Sequence, residues 1–204
     1  QEEVEKAYDA TVGLVRVEAS DRVKKGLLVS MTAEDFAVGD TVPYIPNKGV
    51  VEGYFEARKA PVVVEEVQGK KAFRFEGKQF FRSSFMLPAT LRDNAPYTLE
   101  AWVLNPELAE NECVADFTSS HDELEKIMLV NGTEPRCGML NHYGWYEDVG
   151  YKDTKTLAGK WQHIYVVFDG RVEKVYINDQ LISSKDIQLL IKPIQFVTLG
   201  QNAE

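Results

Sequence analysis

The residues best suited to chemistry in this chain lie in one run, Asn141-His-Tyr-Gly-Trp-Tyr-Glu-Asp-Val-Gly-Tyr151. It sets Tyr143, Trp145, Tyr146 and Tyr151 among two glycines and several polar side chains. Aromatic faces beside hydrogen-bonding groups suit sugar rings, whose C–H faces stack on π clouds while their hydroxyls take polar partners. His142, Tyr143, Trp145, Tyr146 and Tyr151 are therefore the candidate ligand-binding residues. The competing reading is that these rings cap one end of the fold and bind nothing. Phe80, Phe81 and Arg82 form a second candidate, since two adjacent aromatics on a strand place one ring in the core and one outside.

Other reactive groups form no recognisable constellation. His121, His142 and His163 are far apart and lack metal-ligand spacing. His163 reads as structural, with its polar tip bonded locally while the ring packs. Cys113 and Cys137 sit in strands that could pair, but a disulfide needs Cα atoms within about 7 Å. Two buried thiols satisfy the sequence equally well. No C-x-x-C pair, G-x-S-x-G elbow, phosphate loop or dinucleotide fingerprint occurs. No catalytic residue, metal set or certain cofactor is expected.

Charge narrows the partners. The formal net charge of −9 argues against nucleic acid and against an anionic membrane surface. A neutral glycan meets no such objection. No run approaches the ~18 apolar residues that span a bilayer, so direct membrane insertion is not expected. The opening Gln-Glu-Glu-Val-Glu-Lys lacks the basic start and apolar run of a signal peptide.

The elements that must position these residues are short strands. Residues 1–26 read as a lead-in or the end of a preceding module, with a possible helix at Glu2–Tyr8 and a valine-rich strand at Thr11–Ala19. From Leu27 the expected strands are Leu27–Met31, Val50–Ala57, Pro61–Val67, Lys71–Glu76, Gln79–Arg82, Tyr97–Leu104, Glu112–Thr118, Lys126–Val130 and Arg136–Asn141. Cys113, Ala115 and Phe117 are expected to share a face. Trp161–Phe168, Asp169-Gly170 and Val172–Ile177 spell strand, tight turn, strand, a strong hairpin signal. Gln180–Ser184 and Ile194–Leu199 follow. Such spacing without a sustained helical period indicates an all-β sandwich or barrel.

Several of these runs resemble laminin-G-like domains of the concanavalin A-like lectin/glucanase superfamily. The resemblance rests on Asn94–Pro106 around Trp102, on Gly159–Gly170 around Trp161 and His163, on Val175–Leu181 and on Thr198–Gln201. Leu27–Phe36 and Gly69–Phe81 resemble the opening strands. The resemblance implies a two-sheet antiparallel jelly-roll β-sandwich over residues 27–204, with Trp102 and Trp161 filling the space between the sheets. Two departures stand out. Asp179 occupies a turn position where the family has glycine, and a final strand usually follows the last matched run. Thr11–Ala19 is the candidate to fill that edge.

The resemblance also sets functional expectations. The glucanase branch uses paired carboxylates in an E-x-D-x-x-E pattern, and that pattern is absent. Glu123 and Glu125 have the right parity but fall in a polar loop. Glu100 could face a groove, though a lone strand carboxylate is usually solvated. Calcium is common in such relatives, and Asp116, Asp122, Asn131 and Asp148 could contribute oxygen ligands. The implied function is a non-catalytic carbohydrate-binding module of a secreted, periplasmic or cell-surface protein, with other modules in a longer chain. The alternatives are a glycoside hydrolase on the same fold, or a structural module that binds proteins.

Overall fold

A computed structural model describes residues 26–109, 112–117, 127–131, 138–141, 149–150, 157–194 and 196–201. The expected lead-in and the strand at Thr11–Ala19 lie outside the described residues. After a 3-10 turn at Ala33–Asp35 the described elements are strands. They begin with β1 (Thr41–Val42), β2 (Tyr44–Pro46), β3 (Tyr54–Arg58), β4 (Val62–Val67) and β5 (Lys70–Arg74). Next come β6 (Phe80–Ser83), β7 (Tyr97–Leu104), β8 (Cys113–Asp116), β9 (Met128–Val130) and β10 (Gly138–Asn141). The last are β11 (Val149–Gly150), β12 (Trp161–Phe168), β13 (Val172–Ile177), β14 (Gln180–Asp186) and β15 (Thr198–Leu199).

All described pairings are antiparallel. An eight-stranded sheet runs β11-β10-β9-β8-β15-β6-β3-β2, and a four-stranded sheet runs β14-β13-β12-β7. These are the two layers of the expected sandwich. A small third sheet, β1-β4-β5, accompanies them. One hydrophobic cluster joins Ile45, Phe55 and Phe81 of the larger sheet to Ile164, Val166, Phe168, Val175 and Ile177 of the smaller. Val62 and Val64 of the third sheet belong to the same cluster. Phe55, Phe81 and Phe168 are fully buried, each contributing on the order of 1.5–3 kcal/mol of apolar transfer.

The long hairpin has the expected strands. Along β12 residues alternate strictly, with Gln162, Ile164, Val166 and Phe168 buried. Asp169 closes the turn by accepting the backbone N–H groups of Arg171 and Val172 at 2.9 and 2.8 Å. At the following turn Asn178 and Asp179 both take positive φ, 48° and 66°. Asparagine and aspartate tolerate that left-handed geometry, which a two-residue hairpin turn demands. Asp179 therefore replaces the family's glycine without changing the turn.

Four expectations are corrected. Trp102 and Trp161 do not fill the space between the sheets. Trp161 shares the face of β12 opposite to its buried residues, and Trp102 is 51% exposed. Leu27–Met31 is no strand. It is held instead by Asn47, whose Oδ1 accepts from Ser30 N at 2.8 Å and whose Nδ2 donates to Leu28 O at 3.0 Å. Gly49 completes this contact, because a Cβ there would lie 2.3 Å from the Leu28 carbonyl oxygen. A register shift between Cys113 and Ala115 breaks the simple alternation expected for that strand. The last expected strand shortens to Thr198–Leu199.

Candidate functional site

Residues directly opposite in an antiparallel ladder share a face. The registers therefore set Tyr44, Glu56, Arg82, Thr198 and Asp116 in one row across five strands. Neighbours of alternate parity, Ile45, Phe55 and Phe81, point into the core. The row thus lies on the face of the eight-stranded sheet turned away from the sandwich interior. The ladder continues through Met128 to Asn141, after which the 142–148 segment begins. Strands lie ~4.8 Å apart, so the five-strand row spans roughly 20 Å, of which the Tyr44–Arg82 end is the open part, since Thr198 and Asp116 are buried.

The β2 side of this face is open and chemically mixed. Tyr44 and Tyr54 are exposed and meet edge to face, with centroids 5.4 Å apart. Arg58 pairs with Glu56 at 2.7 Å. The Arg82 guanidinium lies 3.8 Å from the centre of the Phe196 ring. Lys59 Nζ sits 5.5 Å over Phe80. Towards the middle, Thr198 and Asp116 are buried, and the Thr198 hydroxyl donates to Gln201 O at 2.6 Å. This surface offers ring faces, fixed donors and acceptors, which is the equipment of recognition.

Of the sequence candidates, His142, Tyr143, Trp145, Tyr146 and Tyr151 lie outside the described residues. So do His121, Cys137, Glu123 and Glu125. The second candidate divides as strand parity requires: Phe81 is buried, while Phe80 and Arg82 take the outer face. Tyr44, Tyr54 and Phe196 were missed. The strands of Tyr44 and Tyr54 are too short to reveal a face without the register, and Phe196 lies in no strand.

Glu100 and His163 occupy a different surface, the outer face of the four-stranded sheet. His163 Nε2 lies 3.0 Å from Glu100 Oε1. His163 stacks on Trp102, and Tyr165 stacks on Tyr176, with centroids 4.6 Å apart in both pairs. Lys70 Nζ lies 4.2 Å from the Trp102 centroid. The rings bury their faces against one another, which leaves little for a ligand. His163 thus has its polar tip against Glu100 while its ring packs on Trp102.

Of the oxygen donors proposed for calcium, only Asp116 and Asn131 are described, and these two lie apart. Asp116 pairs with Met128, three residues along the strand from Asn131, a separation of about 10 Å. Asp122 and Asp148 lie outside the described residues. Among those described, no group of three or more His, Cys, Asp or Glu is placed to hold a metal. Asn131 is instead part of a buried polar link. Its Nδ2 donates to Gln162 Oε1 at 3.2 Å, and Asn105 Nδ2 donates to its carbonyl at 3.1 Å. Asn105 also bonds Glu112.

One titratable pair is sealed in the interior. The Tyr97 hydroxyl donates to Glu173 Oε1 at 2.5 Å, and Glu173 is fully buried. Burial, reinforced by the Glu173 carboxylate, pushes the Tyr97 phenol well above its ordinary range.

Comparison with known proteins places this geometry. A laminin G family model, described as the concanavalin A-like lectin/glucanases superfamily, matches residues 82–203, more than half of the chain. No curated protein sequence matches. Among solved structures, the chain is similar to domain 4 of AbnA, a GH43 extracellular arabinanase from Geobacillus stearothermophilus, in complex with arabinotriose. That likeness has a TM-score of 0.53 at 16% identity and covers 87% of this chain and 86% of that one. A Bacillus licheniformis β-glucanase aligns over 87% of this chain and 80% of its own, at 12% identity with a TM-score of 0.35, and nothing is argued from it.

Proposed function

The chain belongs to the concanavalin A-like lectin/glucanase superfamily, and from that premise we propose that it is a non-catalytic carbohydrate-binding module of a secreted or cell-surface protein. The observation that carries the reading is the outer row of the eight-stranded sheet. Its open end sets exposed Tyr44 and Arg82 in one row, with exposed Tyr54 on the same face of β3. A glycan lying across this open end meets rings for its C–H faces and polar groups for its hydroxyls.

Three further facts support it. The arabinanase domain that shares this fold is in complex with an oligosaccharide. The chain lacks the E-x-D-x-x-E carboxylate pattern on which a retaining glucanase of this fold depends. Among the described residues no helix is long and apolar enough to cross a membrane, and the similar domain comes from an extracellular enzyme.

Glycan-array binding of the purified chain tests the reading. At least one oligosaccharide class should bind, and Trp145→Ala should weaken that binding about tenfold or more while the thermal transition stays put. An array without a single hit sinks the proposal. Unfolding by Trp145→Ala would assign that ring to packing and move the site onto Tyr44 and Tyr54.

A further inference from the structure

We propose that the exposed end of this row selects acidic glycans, with Arg82 binding the carboxylate of a uronic acid residue. The inference rests on the carbohydrate-binding reading and deepens it. Among the described residues, Arg58, Arg74, Arg92 and Arg171 each lie within 4.0 Å of a carboxylate. Arg82 has no such partner, although Glu56 is its direct neighbour across the ladder. Glu56 is occupied by Arg58 at 2.7 Å. The guanidinium of Arg82 is thus left uncompensated on an open face.

It is also held in place. The guanidinium carbon lies 3.8 Å from the Phe196 ring centre. A side chain held against a ring loses less entropy on binding. That planar fork matches a carboxylate in a bidentate pair. Lys59, over Phe80 at 5.5 Å, adds a second positive charge on the neighbouring strands. Against a net charge of −9 for the chain, this corner carries Arg58, Lys59 and Arg82 beside Glu56, the other acid of the row, Asp116, being buried two strands away from Arg82. The chain as a whole repels anions, and this local excess makes one position complementary to them. A neutral sugar offers the guanidinium hydroxyl acceptors alone, whereas a uronate also supplies the missing charge.

The test compares oligomers of galacturonate, glucuronate and mannuronate with their methyl esters, by calorimetry on the intact chain. Esterification removes the charge and leaves the sugar stereochemistry. At least one acid oligomer should bind roughly ten- to a hundredfold more tightly than its ester. The preference should shrink as salt is raised. Arg82→Gln should abolish the preference, and Arg82→Lys should retain part of it. Thermal melts of both variants should match the parent, which separates lost recognition from lost folding. Equal binding of acid and ester, or a preference untouched by Arg82→Gln, overturns the inference and leaves the carbohydrate reading standing. Binding of neutral glycans alone does the same. Failure to bind any glycan, acidic or neutral, removes both.

Discussion

Trp102 and His163 stack face to face across the β7–β12 ladder, with ring centroids 4.6 Å apart and planes 9° from parallel. That separation is close to the distance between paired strands, so the two rings stand upright on the sheet like neighbouring plates. Tyr165 and Tyr176 repeat the arrangement between β12 and β13. The face presents ring edges outward and keeps its ring faces for itself.

A double-mutant cycle of Trp102→Ala and His163→Ala should therefore report a favourable coupling of about 0.5–1.5 kcal/mol in urea unfolding. Glycan binding should be unaffected by either change. A coupling near zero would mean that the stack contributes nothing to stability.

The Tyr97–Glu173 pair should govern the alkaline limb of stability. Folding raises the Tyr97 phenol above its ordinary value of 10.0. Its contribution is complete below that ordinary value and is lost as pH rises towards the folded value. Tyr97→Phe should cost roughly 1–3 kcal/mol at neutral pH, by leaving a buried carboxylate short of a donor. It should also flatten the loss of stability above about pH 10. Chemical denaturation across that range, parent against variant, measures both.

Asp169 should govern part of the acid limb. The N–H groups of Val172 and then Arg171 hold its carboxyl below the ordinary 3.8. The stability it supplies is present above that value and fades as pH falls towards the folded one. Asp169→Ala should lower Tm at neutral pH and narrow the gap to the parent as acid is added. A constant gap between pH 7 and pH 2 would contradict this origin.

Asn47→Ala should loosen the Leu27–Met31 segment. Beside its bonds to Ser30 and Leu28, Asn47 Nδ2 donates to Val51 O at 2.6 Å, and its Oδ1 accepts from Gly49 N at 3.0 Å. Losing these contacts should cost roughly 2–3 kcal/mol. Amide exchange should rise first at Ser30 and Gly49, before the strands of either large sheet.

The fold was largely legible because its signals are local. Tyr97–Leu104, Trp161–Phe168 and Val172–Ile177 alternate in burial as their sequences do. What the sequence hid depends on registers between distant strands. The outward placement of Trp102 and Trp161 follows from which parity of β7 and β12 meets the core, and an aromatic ring is compatible with either side. The site was legible only at Phe80, Phe81 and Arg82, where adjacency forces opposite faces. Tyr44 and Tyr54 come from separate short strands and Phe196 from the loop before β15, and only the folded chain brings them beside Arg82. Leu27–Met31 looked like a strand because apolar content does not distinguish ladder bonding from capture by an asparagine side chain.

The turn between β4 and β5 reaches across to the four-stranded sheet. Trp161 Nε1 donates to Val67 O at 2.9 Å, Gln68 Nε2 donates to Gly159 O at 3.1 Å, and Lys70 covers Trp102. A ribbon of three short strands is a marginal structure by itself and would ordinarily open on its own schedule. Fastened at its tip by these contacts, and at its base by Val62 and Val64 in the core, it has no independent melting event left to it. The small sheet should open with the sandwich, so proteolysis at the Gln68–Gly69 turn should follow the unfolding of the whole domain.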